Sequence, residues 1–225
     1  MVAAAQSQDT ETCGDAVADT FIDCLERAKH VTRPFDYWLL TDALPKADVE
    51  EVANLPLPKP DGAIFTGRRE SNNKLRVFFS PENQAKYPVC QRVAVGLDSQ
   101  RVRAMIERET GAKLDGTKLR IEYCQDAPGF WLEPHTDIKV KKFTMLVYLI
   151  DDPELALAGT DIHEGPPDFK YVGTAPYGKN LGVIFIPGTN TWHGVGHHPI
   201  AKDRRSIIIN FVAPDWRDTF ELCNP

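Results

Sequence analysis

From Asp15 to Ala28 the apolar residues Val17, Phe21, Ile22 and Leu25 recur at helical spacing, which predicts an amphipathic helix that Pro34 prevents from continuing. A second short helix is expected where Pro45 leads into KADVEEVANL. The proline-rich LPLPKPDG after it reads as a turn or extended connector inside one domain. LRVFF at 75–79 reads as a short strand, and Asp98 or Ser99 caps a predicted helix that carries Val102, Met105 and Ile106 on one face and closes at Gly111. The N-terminal half is thus expected to be mixed and mainly helical.

After Gly116 the period changes. LRIEYCQ, FWLEPHTD, FTMLVYLI, TDIHE, FKYVGTAP, LGVIFIPG, TWHGVGH and RRSIIINFV follow one another as short strand-like runs, separated by Gly, Pro, Asp or Lys-rich turns. Eight such runs without a helical pattern between them favour a mainly β fold, a double-stranded β-helix (jelly roll) at about 117–213, with the N-terminal helices packed on one sheet. Residues 13–225 are expected to form one domain, and the small, polar residues 1–12 to be poorly ordered.

Composition narrows the function classes. The 42% hydrophobic content supports a sizeable core, while the formal net charge of -6 and the absence of a dense Lys/Arg run give no footprint for nucleic acid. The 5 cysteines are scattered, without a CxxC pair, so neither a disulfide framework nor a thiolate zinc site is suggested, and a reducing cytoplasm fits best. The first residues lack the charged and apolar regions of a signal peptide, and no stretch approaches the length of a membrane span.

Candidate chemistry begins at His135 and Asp137, two positions apart on one predicted strand and therefore on one face of the sheet. His193, after the apolar LGVIFIP and a PGTN turn, is the best third ligand. Two imidazoles and a carboxylate leave coordination positions open, as catalytic non-haem iron(II) sites do and closed zinc sites do not. An H-x-D triplet is weak evidence alone. RRSIIINFV strengthens it, because alternation puts Arg204, Ser206, Ile208 and Asn210 on one face. An inward guanidinium needs an anion, and its planar fork beside a hydroxyl suits a carboxylate-bearing cosubstrate. Arg205 is the alternative if the register slips by one.

H-x-D, then TWHGV, then R-x-S resembles the iron(II)- and 2-oxoglutarate-dependent oxygenase superfamily, in particular its prolyl-hydroxylase-like branch. The likeness covers roughly residues 119 to 213, including YCQDAPGFWLEPHTD, MLVYLIDD and AGTDIH. It implies His135, Asp137 and His193 as iron ligands, and Arg204 assisted by Ser206 on the distal carboxylate of 2-oxoglutarate. Tyr123 and Asn210 are further expected cosubstrate contacts. The implied reaction consumes 2-oxoglutarate and dioxygen, hydroxylates an unactivated C–H bond and releases succinate and carbon dioxide. Asp137 disfavours halogenation, which needs that coordination position for halide.

Beside these stand blander expectations. Trp131 and Glu133, just before the ligands, are speculative substrate contacts, Trp131 being equally suited to core packing. His163, His197 and His198 are assigned no function. GRRESNNKLRVFF, with Arg68, Arg69, Asn72, Asn73 and Arg76, reads more readily as a solvated loop than as a wall of the pocket, and Lys139, Lys141 and Lys142 as a solubilising patch. Two other functions compete: a cupin-type metalloenzyme using the triad without 2-oxoglutarate, and a catalytically silent binding domain. Arg204 with Ser206 argues against the first and the intact triad against the second. A small-molecule substrate is expected, with a protein side chain as the other option.

Overall fold

The computed structural model describes residues 13–59, 66–68, 76–196, 198 and 200–225. The expected disorder of 1–12, the loop residues Arg69, Asn72 and Asn73, and His197 lie outside these.

Among the described residues eleven strands form two antiparallel sheets. Those of the C-terminal half are β4 (Lys118–Asp126), β5 (Leu132–His135), β6 (Lys141–Tyr148), β7 (Asp161–His163), β8 (Tyr171–Thr174), β9 (Leu181–Phe185), β10 (His193–Val195) and β11 (Arg204–Val212). They correspond one for one to the eight predicted runs and build the jelly roll. Three more, β1 (Lys29–Val31), β2 (Tyr37–Thr41) and β3 (Val77–Phe78), extend the larger sheet at both edges, giving the order β1-β2-β9-β6-β11-β4-β3, against β5-β10-β7-β8 in the smaller. The strands at 29–31 and 37–41 are not apparent in the sequence. YWLLT has neither a helical nor an alternating period, and it becomes a strand by pairing with β9, Trp38 opposite Ile184.

The helices are α1 (Asp15–Glu26), α2 (Lys46–Ala53), α3 (Pro81–Lys86), α4 (Pro88–Asp98) and α5 (Gln100–Thr110). For α5, Ser99 is the cap: its hydroxyl accepts from the Val102 N–H, and Gly111 ends the helix at φ 73°. Helix α4 adds a buried stripe of Val89, Cys90, Val93, Ala94 and Leu97. It crosses α1 so closely that a Cβ on Gly14 would sit 2.5 Å from the Gly96 nitrogen.

These helices cover the outer face of the larger sheet. Val17, Phe21, Val93, Leu97 and Ile106 pack there with Ile121, Met145, Ile207, Ile209 and Phe211. Strict alternation sends Arg204, Ser206, Ile208 and Asn210 of β11 to the opposite face, between the sheets. The site lies there.

Candidate metal centre and cosubstrate chamber

Strand β10 pairs antiparallel with β5 so that His193 faces His135, their ring centroids 4.4 Å apart. Each ring's Nδ1 lies against a carbonyl of its own chain, 2.8 Å from Glu133 O for His135 and 2.9 Å from Thr191 O for His193. A carbonyl only accepts, so each Nδ1 carries the proton and each Nε2 presents a lone pair, the tautomer a metal ligand requires. Burial, and secondly the neighbouring His135, push the His193 pKa down to about 3, which keeps it neutral.

Asp137 completes the group, whose potential ligand atoms all lie within 4.8 Å of one another. Its carboxylate is held from both sides: Lys141 Nζ donates to Oδ1 at 2.7 Å and Thr144 Oγ1 to Oδ2 at 2.7 Å. Thr144 in turn accepts from Asn210 Nδ2 at 2.9 Å. Asn210 therefore acts on the site through Thr144 and Asp137 and does not line the chamber, contrary to its expected place beside the cosubstrate. The donor set, two neutral imidazoles and one oriented carboxylate, fits a divalent iron ion with open positions.

His135 and Asp137 stand between two cavities, with His193 on the inner side. Behind them a narrow chamber runs into the jelly roll toward Arg204. In front a wider, open cleft is bordered by Arg68, Glu133, Lys141, Trp216 and Asp218. In the chamber Arg204 is fully buried, with Nη1 2.7 Å from Asp126 Oδ2 and Nε 2.6 Å from Ala158 O. Its guanidinium lies beside the rings of Tyr148 and Tyr177, at 5.4 and 5.9 Å. Burial opposes its charge, but Asp126 and the two tyrosines outweigh that and raise its pKa. Among the described residues, Arg204 Nη2 and Ser206 Oγ are buried here without a hydrogen-bond partner. A buried donor left unsatisfied costs about 1–3 kcal/mol, more when charged, so this pair marks where an anionic group fits.

No family model matches the chain, and no curated protein matches it in sequence. Solved structures do. A prolyl-4-hydroxylase from Pseudomonas putida superposes with a TM-score of 0.52 at 17% identity, covering 88% of this chain and 91% of that one. A prolyl hydroxylase from Trichoplax adhaerens, in complex with a hypoxia-inducible-factor oxygen-degradation-domain peptide, gives 0.51 at 15%, covering 93% of each. The chain has the prolyl-4-hydroxylase fold. The non-heme alpha-ketoglutarate-dependent epimerase of nogalamycin biosynthesis shares it too, at TM-score 0.51 and 16% identity, covering 88% of this chain and 83% of that one. The fold thus hosts more than one outcome.

Within this prolyl-4-hydroxylase fold the remaining expected residues are distributed unevenly. Arg205 points to the helical side, its Nη1 3.1 Å from Ala53 O, so Arg204 is the chamber arginine. Tyr123 is a correction: alternation on β4 turns Glu122, Cys124 and Asp126 inward and Tyr123 outward, where it is buried in the helix-packed core near Ala53 O. Glu133 is exposed and borders the cleft. Trp131, 40% exposed, borders neither cavity and packs over Gly67 and Gly196, whose φ of 74° and 121° suit glycine. His163 is buried against Phe169 O, away from the chamber.

Several site residues escape the sequence reading. Lys141 is only 4% exposed and bound to Asp137, and Arg76 is buried at the chamber, so neither belongs to a solvated patch or loop. Asp126, Thr144 and Tyr148 also border the site or hold its residues. Their signal was the same alternation that singled out Arg204, applied to β4 and β6.

Proposed function

We propose that this protein is an iron(II)- and 2-oxoglutarate-dependent dioxygenase that hydroxylates an unactivated C–H bond, with succinate and carbon dioxide as coproducts. The observation that carries the reading is the cluster of His135, Asp137 and His193 at one end of a chamber that reaches the buried, unsatisfied Arg204 Nη2 and Ser206 Oγ, with His135 and Asp137 also bordering an open cleft. Iron(II) bound by these three residues would supply the redox chemistry that couples decarboxylation of the 2-oxo acid to oxidation of the C–H bond.

The chain's own residues do the rest. Arg204 and Ser206 take the distal carboxylate, and Tyr148, whose pKa burial raises, stays a neutral neighbour of the guanidinium. Leu146, Ile208 and Phe130 keep the chamber apolar around the acid's carbon chain. Thr144 orients the Asp137 carboxylate that would hold the metal, and Lys141 neutralises it while the metal is absent. The cleft presents the substrate from the other side, where positioning selects the bond that reacts.

The cleft suits a small molecule. A protein side chain is the second reading, favoured by the cleft's openness and by the peptide held by the Trichoplax prolyl hydroxylase. The chain is read as one domain over 13–225 and as cytoplasmic, in keeping with cysteines that are all free. Among the described residues no helix is long and apolar enough to cross a membrane.

Anaerobic addition of iron(II) and 2-oxoglutarate to the purified protein is expected to produce a weak visible charge-transfer band, and admission of air to release succinate slowly. Arg204→Ala should abolish saturation by 2-oxoglutarate at concentrations that saturate the parent. Absence of 2-oxoglutarate binding at millimolar concentration would refute the reading.

A further inference from the structure

We propose that Arg76 is a second cosubstrate-binding residue, whose guanidinium meets the metal-end carboxylate of the 2-oxo acid while Arg204 meets the far one. The inference rests on the 2-oxoglutarate reading above and assigns to that chamber a residue the sequence placed on a solvated loop.

Arg76 immediately precedes β3, the edge strand that pairs with β4 through Val77 and Tyr123, and Phe78 and Glu122. Its side chain is 6% exposed and lines the chamber together with Asp126, His135 and Arg204. Nη1 lies 3.1 Å from Glu122 Oε1 and 2.7 Å from Cys124 Sγ, while Nε is buried without a hydrogen-bond partner among the described residues. Glu122 does not belong to Arg76 alone: it also accepts from Arg120 Nη2 at 2.9 Å. One fully buried carboxylate is thus shared by two guanidiniums. An unmatched buried donor gains from an anion within reach, and Arg76 lines the chamber where one would lie, whereas Arg205, whose Nε is also unmatched, does not. The surplus donor of Arg76 faces the same demand as Arg204 Nη2, and an anion in the chamber answers both.

The register says which end of the anion. Across β4 and β11, Arg204 stands opposite Asp126, Ser206 opposite Cys124, Ile208 opposite Glu122 and Asn210 opposite Arg120. Asn210 reaches Thr144, which holds Asp137, so the metal lies toward that end. Arg76, bound to Glu122 and Cys124, therefore sits nearer the metal than Arg204 does, by about one inward step of roughly 7 Å. A 2-oxo diacid extending from the metal to Arg204 brings its first carboxylate, not its last, past Arg76.

The two arginines are then separable by ligand. Anaerobic binding to the iron(II)-loaded protein is measured by tryptophan fluorescence and by the charge-transfer band, with 2-oxoglutarate and with 2-oxobutyrate, which lacks the distal carboxylate. Arg76→Met is expected to weaken both acids by a similar factor of about ten or more, the value of one hydrogen bond to a charged group, and to shift the band. Arg204→Met should weaken 2-oxoglutarate alone and erase the preference between the two acids. Wild-type affinity of Arg76→Met for both acids, or a loss confined to 2-oxoglutarate, overturns the proposal. If Arg76→Met does not fold, Arg76→Lys decides, since it keeps the charge beside Glu122 but not the planar fork. An equal loss for both acids supports the assignment and unchanged affinity overturns it. Failure of the parent protein to bind 2-oxoglutarate instead removes the enzyme reading itself.

Discussion

At the scale of single residues the centre is defined by what holds Asp137. Lys141 and Thr144 each donate to one of its oxygens, and the ammonium competes with any cation for the same carboxylate. Breaking a buried ion pair leaves an uncompensated charge at a cost of about 3–5 kcal/mol. Lys141→Met should therefore lower the thermal midpoint of the metal-free protein, while manganese(II) or iron(II) restores more stability to this variant than to the parent. A smaller metal-induced rise than in the parent would contradict the competition. Thr144→Val is the opposite case. It releases Oδ2 and removes the nearer of the two acceptors of Asn210 Nδ2, and metal affinity measured by anaerobic titration should fall about 10–100-fold, as it does when an outer support of a metal ligand is lost. His193 contributes a pH dependence. Its pKa of about 3 in the fold lies below the ordinary 6.5, so between these values the unfolded chain binds more protons than the folded one. Stability of the metal-free protein then falls as pH drops from about 6.5 toward 3, at up to about 1.4 kcal/mol per pH unit from this group. Urea denaturation across that range should show the slope in the parent and lose it in His193→Gln.

At the scale of elements, legibility followed periodicity. The strands of the jelly roll alternate and end at turn residues, and the alternation of RRSIIINFV favours Arg204 as the inward arginine but leaves Arg205 open to a one-residue slip, which the contact of Arg205 with Ala53 O removes. Tyr123 failed for the same physical reason that Arg204 succeeded: it occupies the outward phase of β4, and a resemblance that carried it inward ignored the alternation. Strands β1 and β2 owe their form to pairing across the sheet, which no local pattern encodes. Helix α4 did carry a helical stripe in Val89, Val93 and Leu97, and its burial separates packing from chemistry. Because α4 covers the outer face of the larger sheet, Leu97→Ala should cost about 2–5 kcal/mol in urea unfolding and leave 2-oxoglutarate affinity at its parental value. A large loss of affinity would mean that the outer core dictates the chamber's geometry. Lys141 and Arg76 were illegible because their burial depends on how the β5–β6 turn and the edge strand fold over the chamber, and in sequence each lies among exposed-looking charges.

At the scale of the whole molecule the site is electrically closed. Among the described residues, Arg76, Arg120, Lys141 and Arg204 face Glu122, Asp126, Asp137 and Glu221, four cations to four carboxylates, all buried or nearly so. A divalent metal alone adds two positive charges to a region of low dielectric, and a 2-oxo diacid alone adds two negative ones. Together they add none. Since the interaction of charges strengthens as water is excluded, the two ligands should bind with positive coupling. The coupling must be reciprocal: the factor by which manganese(II) tightens 2-oxoglutarate equals the factor by which 2-oxoglutarate tightens manganese(II). Both are measurable by calorimetry under nitrogen, and we expect a factor of at least about ten, at the strong end of ordinary site-to-site coupling. 2-Oxobutyrate, carrying one carboxylate, should show less coupling because it offsets only one of the two charges the metal brings. Equal affinity for 2-oxoglutarate with and without the metal would separate the chamber from the metal centre, and with it the two halves of the proposed chemistry.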